Sequence, residues 1–409
     1  NVDLVRQAVP GRDLALSIDR RIQYLAYREL AESIRANNAS AGSAVILDVQ
    51  NGEIVAMVNL PSYNPNSRTD NRPSAHRNRG ATDVTEPGSV MKAFTVAAAL
   101  ETGKFKPTSL FDTNPGSLQL AGHVIHDTHN HGVLNLTGII TKSSNVGAAE
   151  LSLKMTSDHM YDVFHRFGFG LASGSGFPGE SGGVLPPARK WGPVEKATIA
   201  YGYGVSVTAL QLAQAYAAIG NGGRLVTPTF VKGANSPSRA VLDPQIAHTV
   251  LQMLETVVSP EGTAPKAAVL GYRVAGKTGT ARYAARGGYS KIYDSVFVGL
   301  VPVSRPKFVM VVMVHDPKGS VYYGGLVSAP VFSKVMDGAL RLMDVPPDNV
   351  QQWYVAQPGK TPAMQVLPEA ELPPDVAPPD LMSPAVMPPA VAAPPAVASP
   401  AATSGAQAQ

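Results

Sequence analysis

The chain has 409 residues, of which 44% are hydrophobic and 16% charged, with no cysteine and a formal net charge of +4. That length can bury one large core or two ordinary ones. The absence of cysteine excludes disulfides, thiolate metal sites and a cysteine nucleophile, and the lysines and arginines are too scattered for a nucleic-acid footprint. No run of about twenty apolar residues occurs, so no segment of this sequence is predicted to span a bilayer. The chain begins at Asn1 rather than methionine, which reads as a processed or excised fragment whose membrane anchor, if the parent has one, lies upstream.

Residues 1–12 read as a connector that ends in the turn-forming pair Pro10-Gly11. In residues 19–39, Ile22, Leu25, Ala26, Leu30 and Ile34 recur at three- and four-residue spacing, which predicts an amphipathic helix stopped by Asn37-Asn38. "SAVILDV" and "EIVAMVN" on either side of Asn51-Gly52 predict two strands joined by a two-residue hairpin. Residues 60–84 are polar and loop-like. The interval 85–260 reads as mainly helical with glycine-rich breaks, including a helix within 206–223 that ends on glycines. Strand character returns at 272–283, 295–301 and 307–315, the last two flanking "PVSRP" as in an antiparallel hairpin. A closing helix is predicted at 329–343. The pattern predicts an α/β fold whose antiparallel sheet is assembled from distant parts of the chain and flanked by helices. From residue 346 the composition turns to Pro, Ala and Val without periodicity, which predicts an extended tail that cannot pair into a sheet.

In "TEPGSVMKAF", Pro87-Gly88 forces a tight turn that leaves Ser89 at a helix start, and Lys92 falls on the same face one turn later. A serine becomes a nucleophile when a base takes its proton. A lysine serves as that base once burial or a neighbouring cation lowers its pKa. A plain helix cap beside a solvent-facing lysine would leave the same letters. On the order of one S-x-x-K is expected by accident in a chain this long. Ser304–Lys307 is such a case, because Pro306 breaks the helical register between its ends. Ser143-Ser144-Asn145 puts a hydroxyl and an amide two residues apart at another helix start, where a proton relay and a substrate-carbonyl contact compete with simple capping. Ser62-Tyr63-Asn64 repeats that spacing. Lys277-Thr278-Gly279-Thr280, on a strand, offers an ammonium, two hydroxyls and a side-chain-free position, a set suited to an extended anionic ligand.

Taken together, Ser89–Lys92, Ser143–Asn145 and Lys277–Gly279 resemble, in type and order, the S-x-x-K, S-x-N and K-[ST]-G signatures of the penicillin-recognising serine transferases and hydrolases. That order sets aside Ser62–Asn64 and Ser304–Lys307. "EPGSVMKAFTVAAALE", "GFPGE", "YGYGVSVTALQLAQAYAAIGNGG", "VAGKTGTAR" and "YYGGLVSAPVFSKVM" resemble class B penicillin-binding proteins, especially the cell-division type called penicillin-binding protein 3. The likeness runs from about residue 10 to about 350.

The resemblance implies a penicillin-binding-protein or serine β-lactamase-like transpeptidase fold at 13–345, with an all-helical subdomain beside the sheet. It implies a D,D-transpeptidase that uses no cofactor or metal and cross-links peptidoglycan stem peptides ending in D-Ala-D-Ala during septal wall synthesis. Ser89 would be the nucleophile and Lys92 its base. Ser143 and Lys277 would carry a proton to the leaving group, and Asn145 would hold the donor amide. Thr278, Gly279 and Thr280 would receive the terminal carboxylate, and the backbone N–H groups of Ser89 and Thr280 would form the oxyanion hole. Tyr203, Tyr322 and Tyr323 would line the cleft.

β-Lactams would acylate the same serine. Division-machinery membrane proteins, including a glycan polymerase, would be partners at the periplasmic face of an inner membrane. A serine β-lactamase, a D,D-carboxypeptidase and a non-catalytic β-lactam sensor share the signatures. Glu150, Glu180 and Glu195 lie between the second and third of them, but none opens the E-x-x-L-N pattern of class A β-lactamases.

Overall fold

A computed structural model of the chain describes residues 10–67, 72–285, 288–319 and 321–349. The first nine residues of the predicted connector and the predicted tail from 350 onward lie outside the described residues. Residues 346–349, which composition assigns to the tail, are bound to the body. Asp348 accepts from Arg273 N at 2.7 Å and Ser304 N at 3.0 Å, and Asn349 N donates to Gly271 O at 3.0 Å.

Helix α1, Arg20–Ala36, begins where the Asp19 carboxylate accepts from Arg21 N and Ile22 N, and it ends at Asn37. Its buried stripe contains Ile22, Ala26 and Leu30, as the periodicity predicts. Strands β1, Ala41–Asp48, and β2, Ile54–Leu60, follow as an antiparallel pair. Their connection is longer than the predicted two-residue turn. Asp48 N donates to Glu53 O at 2.9 Å, enclosing Val49–Gly52, and the Asp48 carboxylate accepts from Gln50 N at 2.9 Å. A two-residue type I′ turn needs positive φ at both central positions. Gly52 has φ 75° and Asn51 does not adopt a positive φ, so the Asp48 carboxylate organises the turn instead.

The remaining strands of the central sheet are β3, Ala275–Ala285, β4, Gly288–Val301, and β5, Phe308–His315. The order is β2-β1-β5-β4-β3 and every pair is antiparallel. Both faces of the sheet are covered, which explains why β1 is buried at every position. On one face lies the closing helix, Ala329–Leu342, whose Phe332 ring fills the space a side chain at Gly299 would need. On the other lies the helix Ala209–Gly220; there Gly220 allows Leu300 and Val49 to pack closely. Gly299 and Leu300 are adjacent on β4 and so point to opposite faces.

The middle of the chain is mainly helical, as predicted. It also carries short two-stranded ladders that the sequence reading does not foresee. These are Leu110–Asp112 with Val133–Asn135, Ser117–Leu120 with His123–His126, and Arg224–Val226 with Ser238–Ala240. Strands of three or four residues are too short to leave a legible alternation.

A 3-10 turn, Gly88–Met91, runs directly into helix α2, Lys92–Glu101. Residues Lys92 to Leu100 are all buried, so α2 is a core helix rather than an amphipathic one. Phe94 meets Phe167 and Phe169 edge-on at 4.9 Å and Tyr216 at 5.2 Å, an aromatic cluster worth roughly 1.5–3 kcal/mol per buried ring. Polar ties fix the segment lengthwise. Thr85 N donates to Val207 O at 3.0 Å, Gly88 N to Gly202 O at 3.2 Å, Tyr216 OH to Val90 O at 2.7 Å and Thr95 Oγ1 to Ala200 O at 2.7 Å.

Gly202 makes the closest approach to this segment. Its φ is +91°, and a Cβ there would lie 2.0 Å from Gly88 O. Gly202→Ala is therefore expected to lower unfolding free energy by about 2–4 kcal/mol through backbone strain and overpacking. Denaturant titration checks this, and wild-type stability in the variant would contradict the clamp.

Candidate active site

The three predicted signatures converge although they lie far apart in the chain. Lys92, on the first turn of α2, is fully buried and its Nζ lies 2.9 Å from Ser89 Oγ. The N-cap of the 3-10 turn is Pro87 and that of α2 is Met91, so Ser89 is not the capping residue of either. The second signature sits at a corner between helix α3, Leu136–Lys142, and helix α4, Asn145–Leu153. Ser143 closes α3 in the left-handed conformation, φ 59°, and Ser144 caps α4 with its hydroxyl on Gly147 N. This corner turns Ser143 O, Ser143 Oγ (3.2 Å) and Asn145 Oδ1 (2.7 Å) toward Lys92 Nζ. The capping reading was correct for the middle residue, Ser144, and not for the two predicted site residues.

The third signature lies on β3, at the sheet edge, where backbone groups are open to an added strand. Side chains alternate along it. Lys277 points inward, fully buried, with Nζ 2.8 Å from Ser143 Oγ. Thr278 and Thr280 point into the cleft; Thr278 Oγ1 lies 2.8 Å from Thr263 Oγ1, and Thr280 Oγ1 accepts from Gly324 N at 3.3 Å. Gly279 does not line the cleft. A Cβ there would lie 2.7 Å from Pro87 O and 3.2 Å from Val90, so its bare face admits the Ser89 segment rather than a ligand, which corrects the predicted role.

The proton inventory of this cluster decides its chemistry. Asn145 Nδ2 donates to His126 O at 3.0 Å, which fixes Oδ1 as the atom facing Lys92. Ser143 O and Asn145 Oδ1 can only accept, so each takes a hydrogen from Lys92 Nζ. A neutral amine has two hydrogens and one lone pair. Both hydrogens are thus committed to the two carbonyl oxygens, and the lone pair is left for the Ser89 hydroxyl. Burial pushes Lys92 down from its ordinary 10.5 to about 7, with the Asp127 carboxylate opposing the shift. Burial also holds Lys277 well below its ordinary value, and Lys92 nearby adds to that. Ser143 Oγ bridges the two amines.

These groups open into a cleft of about 410 Å³. Tyr203, Tyr322 and Tyr323 line it, as predicted. Sequence reading missed Tyr293 and Arg282, which also line it. Tyr293 stacks on Tyr322 with centroids 4.1 Å apart, and Tyr322 on Tyr323 at 4.7 Å, giving one wall of packed rings. Asp127 was missed too; only its spacing from the ladder Ser117–Leu120/His123–His126, itself unforeseen, would have flagged it. Among the described residues no glutamate lines the cleft. Glu180 instead accepts from Ser173 N at 2.7 Å and Ser175 Oγ at 2.9 Å, within its own loop.

Comparison with known proteins identifies the family. The family model described as penicillin binding protein transpeptidase domain matches residues 42–337. The chain belongs to that family. It is 44% identical over 341 residues to peptidoglycan D,D-transpeptidase FtsI of Escherichia coli K12, covering 83% of this chain and 58% of that protein. It is 42% identical over 353 residues to the probable peptidoglycan D,D-transpeptidase PbpC of Pseudomonas aeruginosa, covering 86% of this chain and 62% of the relative. The apo TP domain of Burkholderia pseudomallei penicillin-binding protein 3 superposes with a TM-score of 0.76 at 42% identity, over 83% of this chain and 99% of that one. The sheet, its helices and the helical middle are thus the penicillin-binding-protein transpeptidase fold. The chain spans about three-fifths of the length of the two curated relatives.

A transpeptidase domain with this buried amine has a stability signature. The folded pKa of Lys92, about 7, lies below the unfolded value of 10.5, so between these limits the unfolded chain binds the extra proton and stability rises with pH. Lys92→Met removes that titration. The stability of Lys92→Met relative to wild type should therefore be greatest at and below pH 7 and shrink as pH rises toward 10.5. Denaturant titrations across this range measure the gap, and a constant gap would mean that Lys92 keeps its proton in the fold.

Proposed function

We propose that this chain is the catalytic domain, residues 13–345, of a peptidoglycan D,D-transpeptidase of the septal, cell-division type. The observation that carries the reading is the buried Lys92 Nζ 2.9 Å from Ser89 Oγ and bonded to two oxygens that can only accept, so that the neutral amine has its lone pair for Ser89. Similarity to proteins named peptidoglycan D,D-transpeptidase supports the substrate, a stem peptide ending in D-Ala-D-Ala.

Ser89 Oγ attacks the penultimate D-alanine carbonyl as its proton moves to Lys92. The Ser89 and Thr280 backbone N–H groups face the developing oxyanion, a role worth a few kcal/mol per donor in comparable sites. The carbon–nitrogen bond then breaks, and the proton passes through Ser143, between the two amines, to the departing D-alanine nitrogen. Lys277 holds Ser143 in this relay. Asn145 orients the donor amide, Thr278 and Thr280 bind the terminal carboxylate at the open edge of β3, and the tyrosine wall covers the acyl chain. The amine of a second stem peptide attacks the ester, returns its proton to the Lys92 side and frees Ser89. A β-lactam enters by the same attack, but its opened ring keeps the leaving nitrogen tethered.

The parent protein is placed by this reading at the periplasmic face of an inner membrane, held by a helix outside this sequence and working with division proteins, among them a glycan polymerase. Among the described residues no helix is long and apolar enough to cross a membrane. A β-lactamase reading is disfavoured by the lack of a glutamate on the cleft among the described residues.

Fluorescent penicillin should label wild type at Ser89, leave Ser89→Ala unlabelled and persist for hours. Loss of label within seconds would indicate a hydrolase, and absence of label at Ser89 would remove the acyl-transfer reading. With a D-Ala-D-Ala peptide and an added amine acceptor, the cross-linked product should exceed the hydrolysed one; hydrolysis alone would indicate a carboxypeptidase. The rate of acylation should rise with pH through about 7, as Lys92 sheds its proton, and level off above it. A rate that is flat from pH 5.5 to 8.5 would contradict Lys92 as the base.

A further inference from the structure

Asp127 is the buried carboxylate nearest this machinery that the mechanism above does not use. It follows the ladder Ser117–Leu120/His123–His126 and reaches across to the start of α4. Its Oδ2 accepts from Ser144 Oγ at 2.5 Å, and its Oδ1 accepts from Asn145 N and from Val146 N, the latter at 3.0 Å. Ser144 Oγ already accepts from Gly147 N at 2.8 Å, so its single proton is directed to the carboxylate. The two amides belong to the first turn of α4 and have no partner within the helix. Among the described residues Asp127 forms no ion pair, so its negative charge faces the helix dipole and, beyond it, Lys92.

We propose that Asp127 is a positioning residue for acyl transfer: through Ser144 and two consecutive backbone amides it holds the Ser143–Asn145 corner so that Ser143 O and Asn145 Oδ1 meet Lys92. The inference rests on the acyl-transfer reading above. The corner needs an external tie because Ser143 is a non-glycine residue in the left-handed region, a conformation that costs roughly 1–2 kcal/mol. The lysine amines bond the Ser143 and Asn145 side chains and Ser143 O, while Asp127 holds the Ser144 hydroxyl and the backbone N–H groups of Asn145 and Val146. His126 O adds the orienting contact to Asn145 Nδ2, so the same hairpin end sets both the backbone and the side-chain amide of Asn145.

A cap alone would matter only for folding. Asp127 also biases Lys92 toward its charged form, and that separates the two roles. The other titratable groups around this pair are Lys277 on β3, Lys142 at the end of α3, His129 and His131 after the hairpin, and Tyr201. Of these, His131 and Tyr201 also feel the Asp127 charge, but neither touches Ser89 or Lys92 by a hydrogen bond among the described residues.

The test compares penicillin acylation rates from pH 5.5 to 9 in wild type, Asp127→Asn and Asp127→Ala. Asparagine keeps the shape and one acceptor oxygen but not the charge, so its acid limb should move to lower pH while thermal stability stays near wild type. Alanine loses the tie as well, and its plateau rate should fall about tenfold or more as the corner drifts. If alanine does not fold, the asparagine profile decides. A folded Asp127→Ala that keeps the wild-type plateau rate, or an Asp127→Asn acid limb superimposed on that of wild type, overturns the proposal. A wild type that takes no label at Ser89 would instead overturn the underlying acyl-transfer reading.

Discussion

A single amine held away from water, between a hydroxyl and two oxygens that can only accept, governs this structure. Lys92 could be solvated as an ammonium on an exposed helix; buried in the first turn of α2 it cannot keep that charge cheaply, and its hydrogens are claimed by Ser143 O and Asn145 Oδ1. In the neutral form, what remains is a lone pair for Ser89, 2.9 Å away. Neither partner achieves this alone, since serine needs a base and lysine needs desolvation. The second amine, Lys277, is held well below its ordinary value by burial and by Lys92 nearby, so the pocket does not carry two positive charges.

The fold can be understood as the support for that arrangement. The sheet provides an edge strand whose alternation sends Lys277 inward and Thr278 and Thr280 outward. Core burial of α2 fixes Lys92 in depth, and the ties to Gly202, Val207 and Tyr216 fix the Ser89 segment along its length. Gly279 permits that segment to lie directly against β3, where the Gly88 Cβ position would sit 3.3 Å from Thr280 O. Close approach of the two backbones is what brings the nucleophile and the edge strand to one opening.

Much of this was legible in the sequence, for identifiable reasons. The i, i+3 spacing of Ser89 and Lys92 is a local geometric statement, and local statements survive folding. The long strands and α1 carry enough residues for periodicity to register. The signatures' order and the surrounding phrases carried the family. What stayed hidden depended on contacts between distant segments. Gly279 was read as making room for a ligand because its actual neighbour, Pro87, lies nearly two hundred positions away. Asp127 was invisible because its role exists only once a short ladder brings it to the cap of α4. The Asn51-Gly52 turn failed for a different reason: a nearby carboxylate, Asp48, offered the backbone a competing set of hydrogen bonds.

The account stands most directly on the protonation state of one side chain. With lysine Cε carbons labelled and the Lys92 resonance assigned through Lys92→Arg, a carbon NMR titration of the unliganded protein reads that state without any reaction. The account predicts a midpoint near 7. A midpoint at the ordinary lysine value of 10.5 would contradict it, because a charged amine would have no lone pair to offer Ser89.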